Sequence, residues 1–501
     1  MQSKKIPSKI EDISKYMKDH VGVGKSYDFG FREIVVLKRK IQIYYVNGLV
    51  DSSIIVKLME ELLYLNDHEI QYKKAPEIIE NRLIHEQVEK VKTLDEAVDQ
   101  VLSGLIAIFV DGFDQSFIVD VRHYPGRSPE EPDTERVIRG SRDGFTENIV
   151  ENTGLTRRRI RDERLRHEMM KVGERSKTDV CVGYIEDVAD NDFVKYAKER
   201  LEAMEVDGIP MADKTVEEFI LGHKWTPFPM VRYTERPDVA ASHLMDGHVI
   251  LYIDTSPTVI ILPTTYINCL EHAEEYRQAP SIGTYIRWTR LLAVFLSVFL
   301  LPLWLLFTLE PSLLPHSLQF IGPGKEGHIP IVLQIIMAEV GVEFMRMAAV
   351  HTPTPLATAM GLIAAVLIGD IAIQVGFFSP EVILYVAIAT IGSYVTPSYE
   401  LSVANKILMF FLVIVTAIFR TNGFILGTLI IFLYLISLKA FRTPYLSPFI
   451  PFDPGAMLRF LLRIPMPYAN TRPNYVHPKK LLLSAIEKFR KEISDESNFK
   501  L

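Results

Sequence analysis

The chain has 501 residues, 48% of them hydrophobic, a net charge of −7 and two cysteines. That length exceeds one ordinary domain and the acidic balance argues against a nucleic-acid partner. Cys181 and Cys269 stand far apart with no metal-ligand spacing, so neither a disulfide framework nor a metal centre is expected, and no motif calls for a cofactor.

Residues 1–27 contain no apolar run that would serve as a cleavable signal, and they read as a flexible N-terminal segment. Within them GVGKS, Gly22 to Ser26, resembles the end of a phosphate-binding loop. Asp19 occupies the place where the full pattern needs glycine, so nucleotide binding is not expected.

Two later stretches share one plan. GLIAIFVDGFDQSFIVDV from Gly104 and GHVILYIDTSPTVIILP from Gly247 both read as strand, turn, strand, and both reach an aspartate, Asp111 and Asp254, at the same step. Upstream, YVNGLVDSSIIVKLMEEL from Tyr45 aligns with YIEDVADNDFVKYAKERL from Tyr184, pairing Asp51 with Asp190 and Leu62 with Leu201. The expected fold is therefore α/β, as two similar subdomains at 28–125 and 179–285. Asp111 and Asp254 sit in turn sequences, where a short carboxylate accepts backbone N–H bonds, and no histidine or nucleophile accompanies them. No enzymatic activity is expected.

Between the subdomains, 126–178 reads as a polar connector. Its length and the basic run TRRRIRDERLRH suggest a surface for another subunit or for lipid headgroups, with Arg158, Arg159 and Arg161 as candidate oligomer contacts. The same run also fits a solvated helix face.

From 286 to 440 the composition becomes that of a helical membrane domain, with spans expected at Leu291–Leu309, Ala357–Phe378, Val382–Val395, Val403–Phe419 and Phe424–Leu438. Arg287 and Arg290 precede the first span, and Lys439, Arg442, Arg459 and Arg463 follow the last, so both flanks are expected in the cytosol and the number of spans is even. The sixth is then the stretch from Ile329 to Val350, although it carries Glu339, Glu343 and Arg346. Each charge at mid-membrane costs about 2.5–3.5 kcal/mol on insertion scales. At helical spacing the three fall within an arc of about 60 degrees, one stripe that faces protein or water. The stripe reads either as a structural ion cluster that fixes helix register or as a site on an ion path. A pore face is expected on the helix from Ala357 to Val375, where Asp370 and Gln374 continue the line of Ile363, Val366 and Leu367 as an acidic annulus against an apolar constriction. Residues 441–501 form a cytosolic tail.

PEEPDTERVIRGSRDGFTENIVENTGLTRRRI, TERPDVAASHLMDGHVILYIDTSPTVIILP, EVGVEFMRMAAVHTP and PYLSPFIPFD together resemble the A-subunit family of spore germinant receptors, the GerA type, over about Asp28 to Pro473. The run from His351 to Lys406 is similar to a sporulation paralogue encoded with the dipicolinate-channel genes. Asp370 stands where the family commonly has a neutral amide, and Met347 where it has an acidic residue, so selectivity is not carried over from the nutrient receptors. The resemblance implies a multi-pass protein of the inner spore membrane, a homo-oligomeric ring that releases ions in germination, with a small membrane partner protein and receptor or dipicolinate-channel proteins nearby. Rival readings are a nutrient-receptor A subunit working with B and C subunits, a secondary transporter, and a scaffold that does not conduct.

Overall fold

Apolar runs of β-branched and aromatic residues, continuous in the central strands and broken by polar residues in the edge strands, build two five-stranded sheets in the computed structural model. The described residues are 4–482 apart from 25–28, 48, 66–74, 84–87, 124–127, 133–134, 223–224, 323, 325–327, 352–360, 362–370 and 469–470. The chain divides into two compact units, Met1–Arg127 and Ser128–Leu501.

The first unit holds α1 (Ile10–Tyr16), β1 (Phe29–Val36), β2 (Arg39–Val46), α2 (Ser52–Tyr64), α3 (Ala75–Arg82), β3 (Val88–Val91), α4 (Leu94–Leu102), β4 (Ile106–Val110) and β5 (Ser116–Val119). Its five strands run in the order β1-β2-β4-β5-β3, antiparallel throughout. One face of the sheet buries Leu58 and Leu62 of α2, and the other buries Ala97 and Val101 of α4. The N-terminal segment is not a loose tail. Ile13 and Met17, on one helical face, are buried with Ile6 on the α4 side of the sheet, and Ile10 of the same helix is buried too.

The second unit opens with α5 (Ile149–Arg159), β6 (Leu165–Val172), β7 (Thr178–Ile185), α6 (Asn191–Glu202), α7 (Ala212–Leu221), β8 (Arg232–Thr234), α8 (Pro237–Asp246), β9 (Val249–Ile253) and β10 (Val259–Leu262). Its sheet has the order β6-β7-β9-β10-β8, the order of the first sheet repeated. Part of the stretch expected as connector therefore belongs to a subdomain: β6 is the edge strand of the second sheet, paired with β7 from Leu165↔Ile185 to Val172↔Thr178. Its alternate exposure and many charges mask it in sequence.

The repeat extends to the helix before each edge strand. Asp111 Oδ1 accepts from the Ile10 N–H at 3.3 Å, and Asp254 Oδ1 accepts from the Ile149 N–H at 3.2 Å, so each aspartate meets the first residue of α1 or α5. Asp51 and Asp190 are likewise equivalent N-caps, accepting from Ser53 and Asp192 N–H groups at 2.8 and 2.9 Å.

After α9 (Ala273–Arg277) comes a layer of apolar helices: α10 (Pro280–Leu309), α11 (Ile331–His351), the short α12 (Ala372–Gln374), α13 (Pro380–Tyr394) and α14 (Tyr399–Ser437). α10 and α14 are long and apolar enough to cross a membrane. α14 is two helices in succession, because Arg420 has φ 53 and ψ −132. The halves fold back on one another: a Cβ on Gly423 would lie 2.2 Å from the Val415 carbonyl oxygen, Gly427 lies against Leu412, and Tyr434, Leu435 and Leu438 pack in one cluster with Leu401 and Ala404. That cluster includes Phe228 and Met230, so the layer is entered by α10 and left at Leu438 on the side next to the second sheet. At the opposite side Thr421 donates to Glu310, Trp304 Nε1 to the Ile321 carbonyl at 2.8 Å, and Ser379 N–H to Gln334 at 2.8 Å.

The tail forms α15 (Pro454–Leu461) and returns to the second sheet, where Lys480 pairs with Asp187 and the Arg472 Nε donates to the Met245 carbonyl at 2.6 Å.

Candidate functional site

Four charges meet inside the helical layer. The stripe expected on α11 forms as one, and α14 adds a residue that the sequence reading did not assign to it, Lys406. Its Nζ lies 3.0 Å from Glu343 Oε2 and 3.2 Å from Glu339 Oε2, while Arg346 Nε donates to Glu343 Oε1 at 3.0 Å. The Arg346 guanidinium also lies over the Tyr399 ring at 4.9 Å. Two carboxylates and two cations make the set neutral, which lowers the cost of holding it among apolar helices.

The burden is uneven. Glu339 is 1% exposed and Lys406 8%, whereas Glu343 keeps 26%. Glu339 Oε2 is close to Lys406 but outside hydrogen-bond geometry, and it has no hydrogen-bond partner among the described residues. Arg346 neutralises Glu343 as its spacing suggested, but the contact that compensates Glu339 comes from Lys406. The signal for Lys406 is its position: a lysine at the fourth residue of the span that starts at Val403 needs a carboxylate partner.

Buried hydroxyl and amide groups continue on neighbouring helices. Ser393 and Ser402 hydroxyls are 2.9 Å apart, and Asn405 Oδ1 accepts from Tyr266 at 3.3 Å. Thr390, Thr416 and the Asn405 Nδ2 have no hydrogen-bond partner among the described residues. Small polar groups of this kind bond across helices or line a water path.

Of the expected pore face, Ile363, Val366, Leu367 and Asp370 lie outside the described residues, and Gln374, in α12, is exposed. Of the expected oligomer contacts, Arg158 and Arg161 are exposed. Arg159 is committed within the chain: it donates to both oxygens of Asp143, at 2.6 and 2.7 Å, and to the Leu155 carbonyl at 3.0 Å. The neighbouring Arg157 closes the turn into β6 by donating to the Asp162 and Leu165 carbonyls at 2.8 and 2.7 Å.

Among the described residues no group of His, Cys, Asp and Glu is arranged to hold a metal ion. Both cysteines are buried and unpaired, and burial raises their thiols, Cys181 to about 12 and Cys269 to about 11.

Comparison with known proteins gives a consistent result. The family described as Bacillus/Clostridium GerA spore germination protein matches residues 15–475. Stage V sporulation protein AF of Bacillus subtilis (strain 168) is 57% identical over 476 residues, covering 95% of this chain and 96% of that protein. Spore germination protein KA of the same organism is 31% identical over 481 residues, covering 94% and 87%. An uncharacterized membrane protein, YfkQ, also from that organism, is 30% identical over 436 residues, covering 86% and 84%. The match spans both sheets, the helical layer and most of the tail, and the chain belongs to the GerA family of spore germination proteins.

Proposed function

We propose that the protein is a non-enzymatic subunit of a homo-oligomeric channel that releases small ions across the inner spore membrane during germination. The observation that carries this reading is the Glu339, Glu343, Arg346 and Lys406 cluster inside apolar helices, with Glu339 incompletely bonded. Charged side chains held inside apolar helices are costly and commonly mark an ion pathway. Entry by α10 and exit at Leu438 on one side of the layer support an even number of crossings, with both termini in the cytosol. The pore face of Ile363, Val366, Leu367, Asp370 and Gln374 is proposed to line the ring axis, and a small membrane protein is the proposed partner.

The test is potassium efflux from liposomes holding the purified protein. Efflux should rise with the protein-to-lipid ratio and change in Glu339→Gln and Asp370→Asn. A leak equal to that of protein-free vesicles at every ratio removes the channel reading.

A second reading, an A subunit that acts only with B and C subunits, rests on the resemblance of the chain's motifs to germinant-receptor A subunits. Purification from spores separates the two, since stable recovery of such subunits with this chain selects the second.

A further inference from the structure

The head of α10 has an apolar outer face. Tyr285, Trp288, Leu292 and Phe295, spaced three or four residues apart, are all exposed, Trp288 by 57%. In a helix that crosses a membrane such a face turns to lipid, and Tyr and Trp at its end mark the depth where hydrocarbon gives way to headgroups.

The end of α15 lies at that depth, beside that face. Trp288 Nε1 donates to the Leu461 carbonyl at 2.7 Å. Arg287 donates to the Arg459 and Phe460 carbonyls at 2.6 and 3.0 Å, and the Arg463 N–H donates to Thr284 Oγ1 at 3.0 Å. The last turn of α15 is therefore fixed from three positions on α10, one turn before Leu292.

Held there, α15 turns apolar side chains outward. Asp453 caps its start by accepting from the Gly455 and Ala456 N–H groups at 3.0 and 3.1 Å. Phe460 packs inward against Phe449, ring centroids 5.7 Å apart. Leu458, Leu461 and Leu462 are exposed, and Met466 beyond them is 66% exposed. A contiguous apolar surface of this kind marks an interaction site. Charge selects its partner. From 454 to 482 the chain has no Asp or Glu, and the Arg459 and Arg463 guanidinium groups bond only backbone carbonyls among the described residues. Apolar residues with cations beside them, and no carboxylate, suit the surface of an anionic bilayer.

We propose that α15 is a membrane-surface helix, with Leu458, Leu462 and Met466 dipped into the boundary between headgroups and acyl chains of the leaflet that α10 enters. The inference rests on the reading of α10 as a membrane crossing. The same tail returns to the second sheet through Arg472 and Lys480, so the helix ties that sheet to the bilayer surface.

The experiment is fluorescence quenching on the full-length protein in nanodiscs of phosphatidylcholine and phosphatidylglycerol. Single cysteines at Leu458, Leu462 and Phe295 carry the fluorophore; Cys181 and Cys269 are buried and stay unlabelled in the folded protein. Labels at Leu458 and Leu462 should be quenched more by a lipid spin-labelled near its headgroup than by one labelled deep in the acyl chain, and little by aqueous iodide. The label at Phe295, about 10 Å further along α10 than Trp288, should show the opposite depth preference. Met466 takes the place of either α15 position if labelling there prevents cooperative melting. Quenching of the α15 labels by iodide and not by lipid overturns the proposal, because the face then lies in water. Protection from both quenchers overturns it as well, because protein then covers the face. If Phe295 is quenched by lipid and the α15 labels are not, this inference fails and the membrane crossing by α10 stands. If Phe295 is not quenched by lipid either, both fall together.

Discussion

Lys406 holds the helical charge cluster together, because it is the contact shared by Glu339 and Glu343. Lys406→Met would leave two carboxylates with the single cation Arg346 in a medium of low dielectric, and breaking a buried pair typically costs about 3–5 kcal/mol. The expected outcome is a large fall in melting temperature in detergent, partly restored by combining it with Glu339→Gln. Equal loss in the double variant and the summed singles would show that the two residues are uncoupled. Asp246 gives the residue-scale pH prediction. Its carboxyl is raised in the folded protein, so the native state holds a proton that the unfolded chain releases. That stabilisation is present at low pH and is lost as pH rises through about 7. Asp246→Asn, which cannot ionise, should melt higher than the wild type at alkaline pH and close to it at acidic pH. A difference independent of pH would assign the effect to packing.

Among elements, the junction between the second sheet and the first long helix is a buried ion cluster. Glu275, 1% exposed, accepts from both Arg287 and Arg290, which are themselves buried at the start of α10. The sequence offered these arginines as a topology signal; the fold uses them as an ion-paired anchor. Glu275→Gln should strand two buried cations and lower the melting temperature at least as much as Lys406→Met, whereas the exposed pair Arg442–Asp192 should be replaceable at about 0–1 kcal/mol. The α14 hairpin depends on a close approach, not on charge. A side chain at Gly423 would meet the Val415 carbonyl oxygen at 2.2 Å, so Gly423→Leu must push the two halves apart. Overpacking of this kind costs about 1–3 kcal/mol. A disulfide formed between cysteines placed at Leu412 and Gly427, in contact in the hairpin, should form readily in the wild-type background and poorly with Gly423→Leu; equal yield in both backgrounds would show that the approach tolerates the larger residue.

At the scale of the whole molecule, the layer's two sides make opposite labelling predictions. Ser312, exposed just after α10, and Phe452, exposed in the tail, should react oppositely as single cysteines with an impermeant reagent applied from outside. Labelling of both would place the tail and the far side of the layer in one compartment. Arg158 and Arg161 carry the assembly prediction of the proposed homo-oligomer: reversing both to Glu should lower the sedimentation coefficient of the solubilised protein, and an unchanged profile would return them to solvent.

The sequence by itself determined the duplicated sheet, the apolar segments of the helical layer and the stripe of Glu339, Glu343 and Arg346, because these rest on periodicity along one chain segment. It also carried the family, through motifs spread over both parts. The tertiary structure alone decided which groups compensate one another. Lys406 is 60 or more residues from its carboxylates, and Glu275 meets Arg287 across a change of element, so neither pairing has a local signature. Strand β6 escaped for the converse reason. An edge strand faces water on one side and tolerates charge, and its identity comes from the ladder it makes with β7 rather than from its own residues. The N-terminal segment looked loose for want of a long apolar run, yet Ile6 with the helical face of Ile13 and Met17 is enough to bind it once the sheet supplies an apolar surface.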